Sequence, residues 1–159
     1  MAYIPGFSAT RMEMSPVFET VARDLNMNLY MGRLSGHGQT AEEFSNIRAE
    51  DFINDGRLTL GVLRTLGHKL ILAGTSTGAL LAIRTALENP ERIEGLVLSS
   101  PAFDLMARGS RLLSGIFGER IVAFAVGPYR VWSPQNEEQE KYWHTKYRSE
   151  ALVALGRNV

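Results

Sequence analysis

The sequence predicts an α/β fold, a parallel doubly wound sheet followed by a helical segment. Three observations predict it. Short apolar runs at Tyr3-Ile4, Asn28–Leu34, Leu70–Ala73 and Ile93–Ser99 alternate with stretches whose apolar residues recur at helical spacing. Such alternation implies a parallel sheet with helices on both faces. The third run leads into Gly74-Thr75-Ser76-Thr77-Gly78, a G-x-S-x-G pentapeptide, and then into the Ala- and Leu-rich stretch Ala79–Leu87. From Ala102 onward the rhythm changes to two long helical patterns with no clear strand. We therefore divide the chain into a core, residues 1–101, and a helical lid or cap segment, residues 102–159.

Each element has a local reason. Tyr3-Ile4 starts a strand almost at the first residue, which leads us to expect missing chain upstream; Pro5–Thr10 is a Gly-containing loop. Ser15-Pro16 reads as a helix start, with Ser as N-cap and Pro at the first helical position. Val17, Phe18, Val21, Ala22 and Leu25 then mark one face, and Asn26 ends it. Asn28–Leu34 reads as a strand and Ser35-Gly36-His37-Gly38 as a tight turn with His37 held by backbone hydrogen bonds. Ala41–Ile47 is a short helical turn or loop. Asp51–Leu66 reads as a helix stopped by Gly67. The helix after Ser76 ends near Asn89-Pro90, because proline cannot continue it. Ile93–Ser99 is the next strand. Leu105–Val126 and Tyr142–Leu155 read as helices around a Pro/Tyr/Trp-rich joint at 127–134, their aromatic residues either packing a core of their own or lining a lid over an apolar substrate.

Composition excludes several classes of function. Lys+Arg and Asp+Glu number 17 each, so the formal net charge is zero. That argues against nucleic acid or an anionic membrane surface as the main partner. With no cysteine, disulfides, thiolate metal sites and cysteine nucleophiles are ruled out. We expect neither a metal nor a cofactor. No charged n-region followed by an apolar h-region opens the chain, so a cytoplasmic location is expected. Leu112–Val126 is interrupted by Glu119 and Arg120 and is too short to span a bilayer.

The chemistry lies in the pentapeptide. Strand, G-x-S-x-G and helix in succession make a nucleophile elbow. Ser76 would sit at a strained turn with its hydroxyl out of the sheet. Gly74 and Gly78 would leave room for that turn, since a Cβ there would press on a neighbouring strand or helix. The following helix would aim free N–H groups and its positive dipole end at the reacting centre. The bland alternative is that Ser76 or Thr77 merely caps the helix. Ligands in doubly wound sheets bind where the strand order switches. If the first and third strands are neighbours, Pro5–Thr10 and Gly74–Gly78 meet at that point.

Four segments together resemble the α/β-hydrolase fold, in particular monoacylglycerol-lipase-like and carboxylesterase-like serine hydrolases. Ile4-Pro5-Gly6-Phe7-Ser8 is similar to that family's strand and H-G-F loop, with Pro5 in place of the usual His. Arg33–Gly38 looks like its G-H-G loop, Ala73–Leu81 matches the elbow, and Leu96–Ala102 is similar to the strand after the elbow helix. The resemblance covers residues 2–102 well and the remainder loosely. It implies Ser76 as nucleophile, the backbone N–H groups of Phe7 and Thr77 as the oxyanion hole, and an apolar ester as substrate.

The family's triad also requires an acid and then a His downstream of the serine. His144 is the one His after Ser76, and its family counterpart belongs to the lid; Asp104 reads better as a helix cap. The chain thus resembles a central piece of a longer hydrolase, with the acid and His beyond Val159. The resulting sheet would expose an apolar edge strand open to association or to the missing remainder of the protein. The competing reading is a non-catalytic binding module. A patatin-like Ser–Asp hydrolase fits less well, because Pro5–Ser8 is not a Gly-rich oxyanion loop.

Overall fold

The computed structural model describes residues 1–103, 124, 127–149 and 151–152. Four parallel strands form the central sheet: β1 (Ala2–Ile4), β2 (Tyr30–Met31), β3 (Leu70–Thr75) and β4 (Ile93–Ser99), in the order β2-β1-β3-β4. The chain leaves β1 for β2 on one side and then returns to place β3 on the other. The switch in strand order therefore falls between β1 and β3, which pair directly with Ile4 opposite Gly74.

Side-chain alternation along the strands divides the core in two. Ala2, Ile4, Leu70 and Leu72 face one way and pack with Phe52, Leu60, Leu63, Leu81 and Ala82. Those partners come from α3 (Ala49–Leu66) and α4 (Thr77–Glu88), and Phe44 of α2 (Ala41–Ser45) is fully buried in the same cluster. Met1, Tyr3 and Ala73 face the other way and meet Phe18 and Ala22 of α1 (Val17–Asp24). A period of two along each strand thus buries both faces, as a parallel sheet flanked by helices requires.

Several expectations are corrected. Ser15 does not cap α1: it closes a 3₁₀ turn, Arg11–Met14, and its hydroxyl donates to Glu19 Oε1 at 2.7 Å, while Pro16 takes the cap position. The second strand is two residues long, not seven, and just after it the Gly32 N–H still donates to Tyr3 O at 2.8 Å. A Cβ on Gly32 would stand 2.9 Å from that carbonyl.

The region after Ala102 differs more. The helix expected over Leu105–Val126, and Asp104 before it, lie outside the described residues apart from Phe124. Of the helix expected over Tyr142–Leu155, residues 142–149 are instead the end of α5 (Glu137–Tyr142) followed by a strand, β6 (Lys146–Arg148), residues 151–152 are helical, and residues 150 and 153–155 lie outside the described residues. β6 pairs antiparallel with β5 (Tyr129–Val131), a strand within the expected joint. Helical apolar spacing had masked this hairpin; Tyr147 at its centre is buried while Lys146 and Arg148 are exposed, an alternation three residues long. Among the described residues this hairpin does not pack a core of its own. Tyr147 and Ala151 join the main core, with Trp132 and Leu152 against it.

β4 lies at the sheet edge and is mostly exposed. Leu96, Val97 and Leu98 retain 38%, 48% and 37% of their surface, unusual for the apolar centre of a parallel strand.

Candidate active site

The passage from strand to helix falls on one residue. β3 ends at Thr75, α4 begins at Thr77, and Ser76 between them has φ 51° and ψ −114°. A non-glycine residue with this left-handed φ stores strain of roughly 1–3 kcal/mol and persists only where its surroundings over-determine it. They do so here. The Ser76 N–H donates to Ser99 O at 3.0 Å, which ties the turn to the end of β4. A Cβ on Gly74 would lie 2.5 Å from Gly78 C and 2.6 Å from Ala79 N. One on Gly78 would lie 2.6 Å from Ile4 C and press on the carbonyl oxygens of Ile4 and Pro5. Only two glycines allow strand, turn and helix to close this tightly. Ser76 occupies the cap position of α4 without making a capping bond, and the Thr77 hydroxyl is buried with no partner. Neither hydroxyl therefore caps the helix.

The loop after β1 comes to the same place. A Cβ on Gly6 would stand 3.4 Å from Ser76 Cβ. The loop is a tight turn, with Ala9 N–H donating to Gly6 O at 3.2 Å and Ser8 at φ 67°. Phe7 anchors it edge-on against Phe44 and Tyr147, at ring distances of 5.1 and 5.5 Å. Thr77 is the first residue of α4, where helical N–H groups lack intrahelical acceptors. Among the described residues, the Phe7 and Thr77 N–H groups donate to no acceptor. Among the described residues, two main-chain donors without an acceptor thus stand beside Ser76, one on the loop after β1 and one at the head of α4.

Two histidines stand near this loop, and both are occupied. His37 is fully buried; its Nε2 accepts from Ser8 N–H at 3.0 Å and its Nδ1 lies 2.9 Å from Ser35 O. His144 Nε2 accepts from Gly38 N–H at 3.2 Å, and its ring lies on Phe44 at 4.5 Å. Neither offers Nε2 to the serine. Asp55 accepts from Ser35 N–H and Oγ at 2.7 and 2.9 Å, bracing the His37 turn. Burial lowers the His144 imidazole and lowers His37 to about 4.

That shift predicts a pH dependence. A His37 value below the unfolded one means that the unfolded chain binds the extra proton first. The resulting stability is present above about pH 6.5 and is lost as pH falls toward 4, by about 3 kcal/mol in all. Urea midpoints measured between pH 7 and 4 should fall more steeply for the natural sequence than for His37→Gln. Parallel curves would contradict the assignment.

The sequence reading missed Glu13, Tyr3 and Thr75. Glu13 Oε2 accepts from Gly6 N–H at 2.8 Å and from the Tyr3 hydroxyl at 2.6 Å, and the Tyr3 oxygen lies 3.0 Å from Thr75 Oγ1. Burial and the Glu13 bond push the Tyr3 phenol upward, which keeps it a donor. No motif marks Glu13, which stands in the short 3₁₀ turn Arg11–Met14. Its partners became visible only once β1 and β3 were seen side by side. Among the described residues no cluster of His, Asp and Glu could hold a metal ion, and no helix is long and apolar enough to cross a membrane.

Comparison with known proteins places this geometry in context. The family model described as "Serine aminopeptidase, S33" matches residues 8–154. No curated protein matches the sequence. Among solved structures, one from work on LipS and LipT, two metagenome-derived lipolytic enzymes, is 20% identical with a TM-score of 0.77, over 99% of this chain and 63% of its own. The monoacylglycerol lipase of Paleococcus ferrophilus is 18% identical with a TM-score of 0.64, over 99% and 64%. A structure from work on carboxylesterases of Nitrososphaera gargenis is 16% identical with a TM-score of 0.55, over 99% and 62%. This chain therefore spans under two thirds of the length of each.

Proposed function

The chain belongs to the serine aminopeptidase S33 family and has a partial α/β-hydrolase fold, and from that premise we propose that the whole protein is a serine hydrolase that cleaves carboxylic esters with an apolar acyl group. The observation that carries this reading is the strained φ of Ser76, at the C-terminal end of β3, beside Gly6 and at the head of α4. The serine makes no capping bond there, and the two glycines that enclose it leave strand, turn and helix no other way to close.

In the proposed reaction Ser76 Oγ attacks the ester carbonyl carbon and gives its proton to a general base. The carbonyl oxygen becomes an oxyanion held by the Phe7 and Thr77 N–H groups, each such donor being worth about 10²–10³ in turnover. Collapse expels the alcohol, which takes the proton from the base and leaves an acyl-serine. Water activated by the same base then releases the acid and restores Ser76. No cofactor takes part. Because neither His37 nor His144 offers Nε2 to Ser76, we assign the base and its carboxylate partner outside the described residues, and we assign the exposed β4 edge as the surface on which further strands of the whole protein add.

A fluorophosphonate tests this directly. The full-length protein should gain one adduct on the peptide carrying Ser76, and the 159-residue chain alone should label slowly or not at all. A full-length protein that never labels there would end the reading. It would leave the alternative of a non-catalytic binding module, which the occupied Nε2 atoms of His37 and His144 favour. Parallel assay of aryl esters and aminoacyl anilides separates an esterase from the peptidase in the family's name.

A further inference from the structure

We propose that Glu13 is the positioning residue that fixes the spacing of the two oxyanion donors. The proposal rests on the functional reading above and deepens it. The Phe7 amide lies on the loop after β1 and the Thr77 amide at the head of α4, and the β1–β3 ladder brings the two segments together. Beside that ladder the structure holds a continuous side-chain path that sets how the loop after β1 meets the serine turn. Gly6 N–H donates to Glu13 Oε2 at 2.8 Å, which orients the residue immediately before Phe7. Tyr3 O–H donates to the same oxygen at 2.6 Å. Because its single proton is spent there, the 3.0 Å contact to Thr75 must be the Thr75 hydroxyl donating to the Tyr3 oxygen. Thr75 immediately precedes Ser76.

Three donors thus converge, directly or in relay, on one carboxylate oxygen: Gly6 next to Phe7, Tyr3 in β1, and Thr75 at the end of β3 next to Ser76. Bonds to a charged acceptor are short and about twice as strong as neutral ones. Tyr3 is fully buried and stacked on Phe18 at 4.8 Å, so the relay runs through a rigid side chain rather than solvent. The carboxylate also stands close to the chemistry. The point where a Gly6 Cβ would sit is 3.0 Å from Glu13 Oε1 and 3.4 Å from Ser76 Cβ. Glu13 touches the backbone of the hole and not the substrate, so its effect is on geometry. A misplacement of about 1 Å is enough to lower a rate about 10²-fold.

The test uses the full-length protein, with the concentration of sites set by fluorophosphonate titration. Glu13→Leu should lower kcat per titrated site by about 10- to 100-fold with KM changed less than about threefold. Affinity for a trifluoromethyl ketone that mimics the tetrahedral state should fall in proportion to kcat/KM. Glu13→Gln, which keeps an acceptor oxygen without the charge, should recover most of the loss. Tyr3→Phe leaves the Gly6 bond and removes the link to Thr75, so it should lie between Glu13→Leu and the natural enzyme. It also serves if Glu13→Leu fails to fold. Variants with a lower Tm or fewer titratable sites but an unchanged kcat per site would overturn the proposal while leaving the serine hydrolase reading intact. A natural protein that does not label at Ser76 would overturn both.

Discussion

Ser76→Ala in the full-length protein is expected to abolish fluorophosphonate labelling and to lower kcat on an aryl ester by about 10⁶, the scale seen when a triad serine is removed elsewhere. Stability should hardly change. Ser76 holds φ at 51° without a capping bond, so its side chain contributes little to the fold. The strain belongs to the backbone, which alanine shares, so Tm should stay within about 2 °C of the natural value, less than about 1 kcal/mol for a domain of this size. A large loss of rate at constant stability separates chemistry from architecture. Turnover kept within about tenfold in Ser76→Ala would show that position 76 is not the nucleophile.

Gly78→Ala should give the opposite pattern. Its new methyl would be driven against the Ile4 and Pro5 carbonyls and 2.6 Å from Ile4 C, all of them main-chain atoms that no rotamer change can move. Overpacking against side chains costs about 1–3 kcal/mol, and against backbone in a closed turn we expect about 3 kcal/mol or more. At about 2–4 °C per kcal/mol, calorimetry should record a Tm lower by about 10 °C or an insoluble protein. Any active fraction should also turn over slowly, because β1 can retreat only by carrying the Gly6–Phe7 loop away from Ser76. By contrast, Gly61, with nothing within 4 Å of its missing Cβ, should accept alanine without loss. A Gly78→Ala protein as stable as the natural one would mean that β1 and α4 are not in this contact.

These two residues show why part of the molecule was legible from sequence. The elbow is local: strand, tight glycine, serine, tight glycine and helix follow one another within a dozen positions, and each imposes its conformation on the next. The parallel sheet was legible for a similar reason, since alternating apolar runs and helical patterns admit few arrangements, while the pairing of β1 with β3 entered only as a condition. Ser15 was misread because its hydroxyl found Glu19 rather than a main-chain N–H, a choice that propensity does not encode. The hairpin of β5 and β6 was misread because its strands are three residues long and owe their form to docking on Phe44, Phe7 and the α2 region. Glu13 was invisible for a third reason: its meaning comes from Gly6, Tyr3 and Thr75 converging in space.

The segment from Tyr142 to Tyr147 is sewn to the loop that carries Phe7. Thr10 N–H donates to Tyr142 O at 3.1 Å, His144 N–H donates to Ser8 O at 2.8 Å, Ala9 bridges Trp143, and the Tyr147 ring packs on Phe7. If the proposed function holds, an engineer who varies residues 142–147 to alter acyl preference would at the same time shift the Phe7 amide proposed to receive the negative charge. Selectivity and speed are therefore coupled in this stretch, and libraries built there should yield few variants that change one without the other.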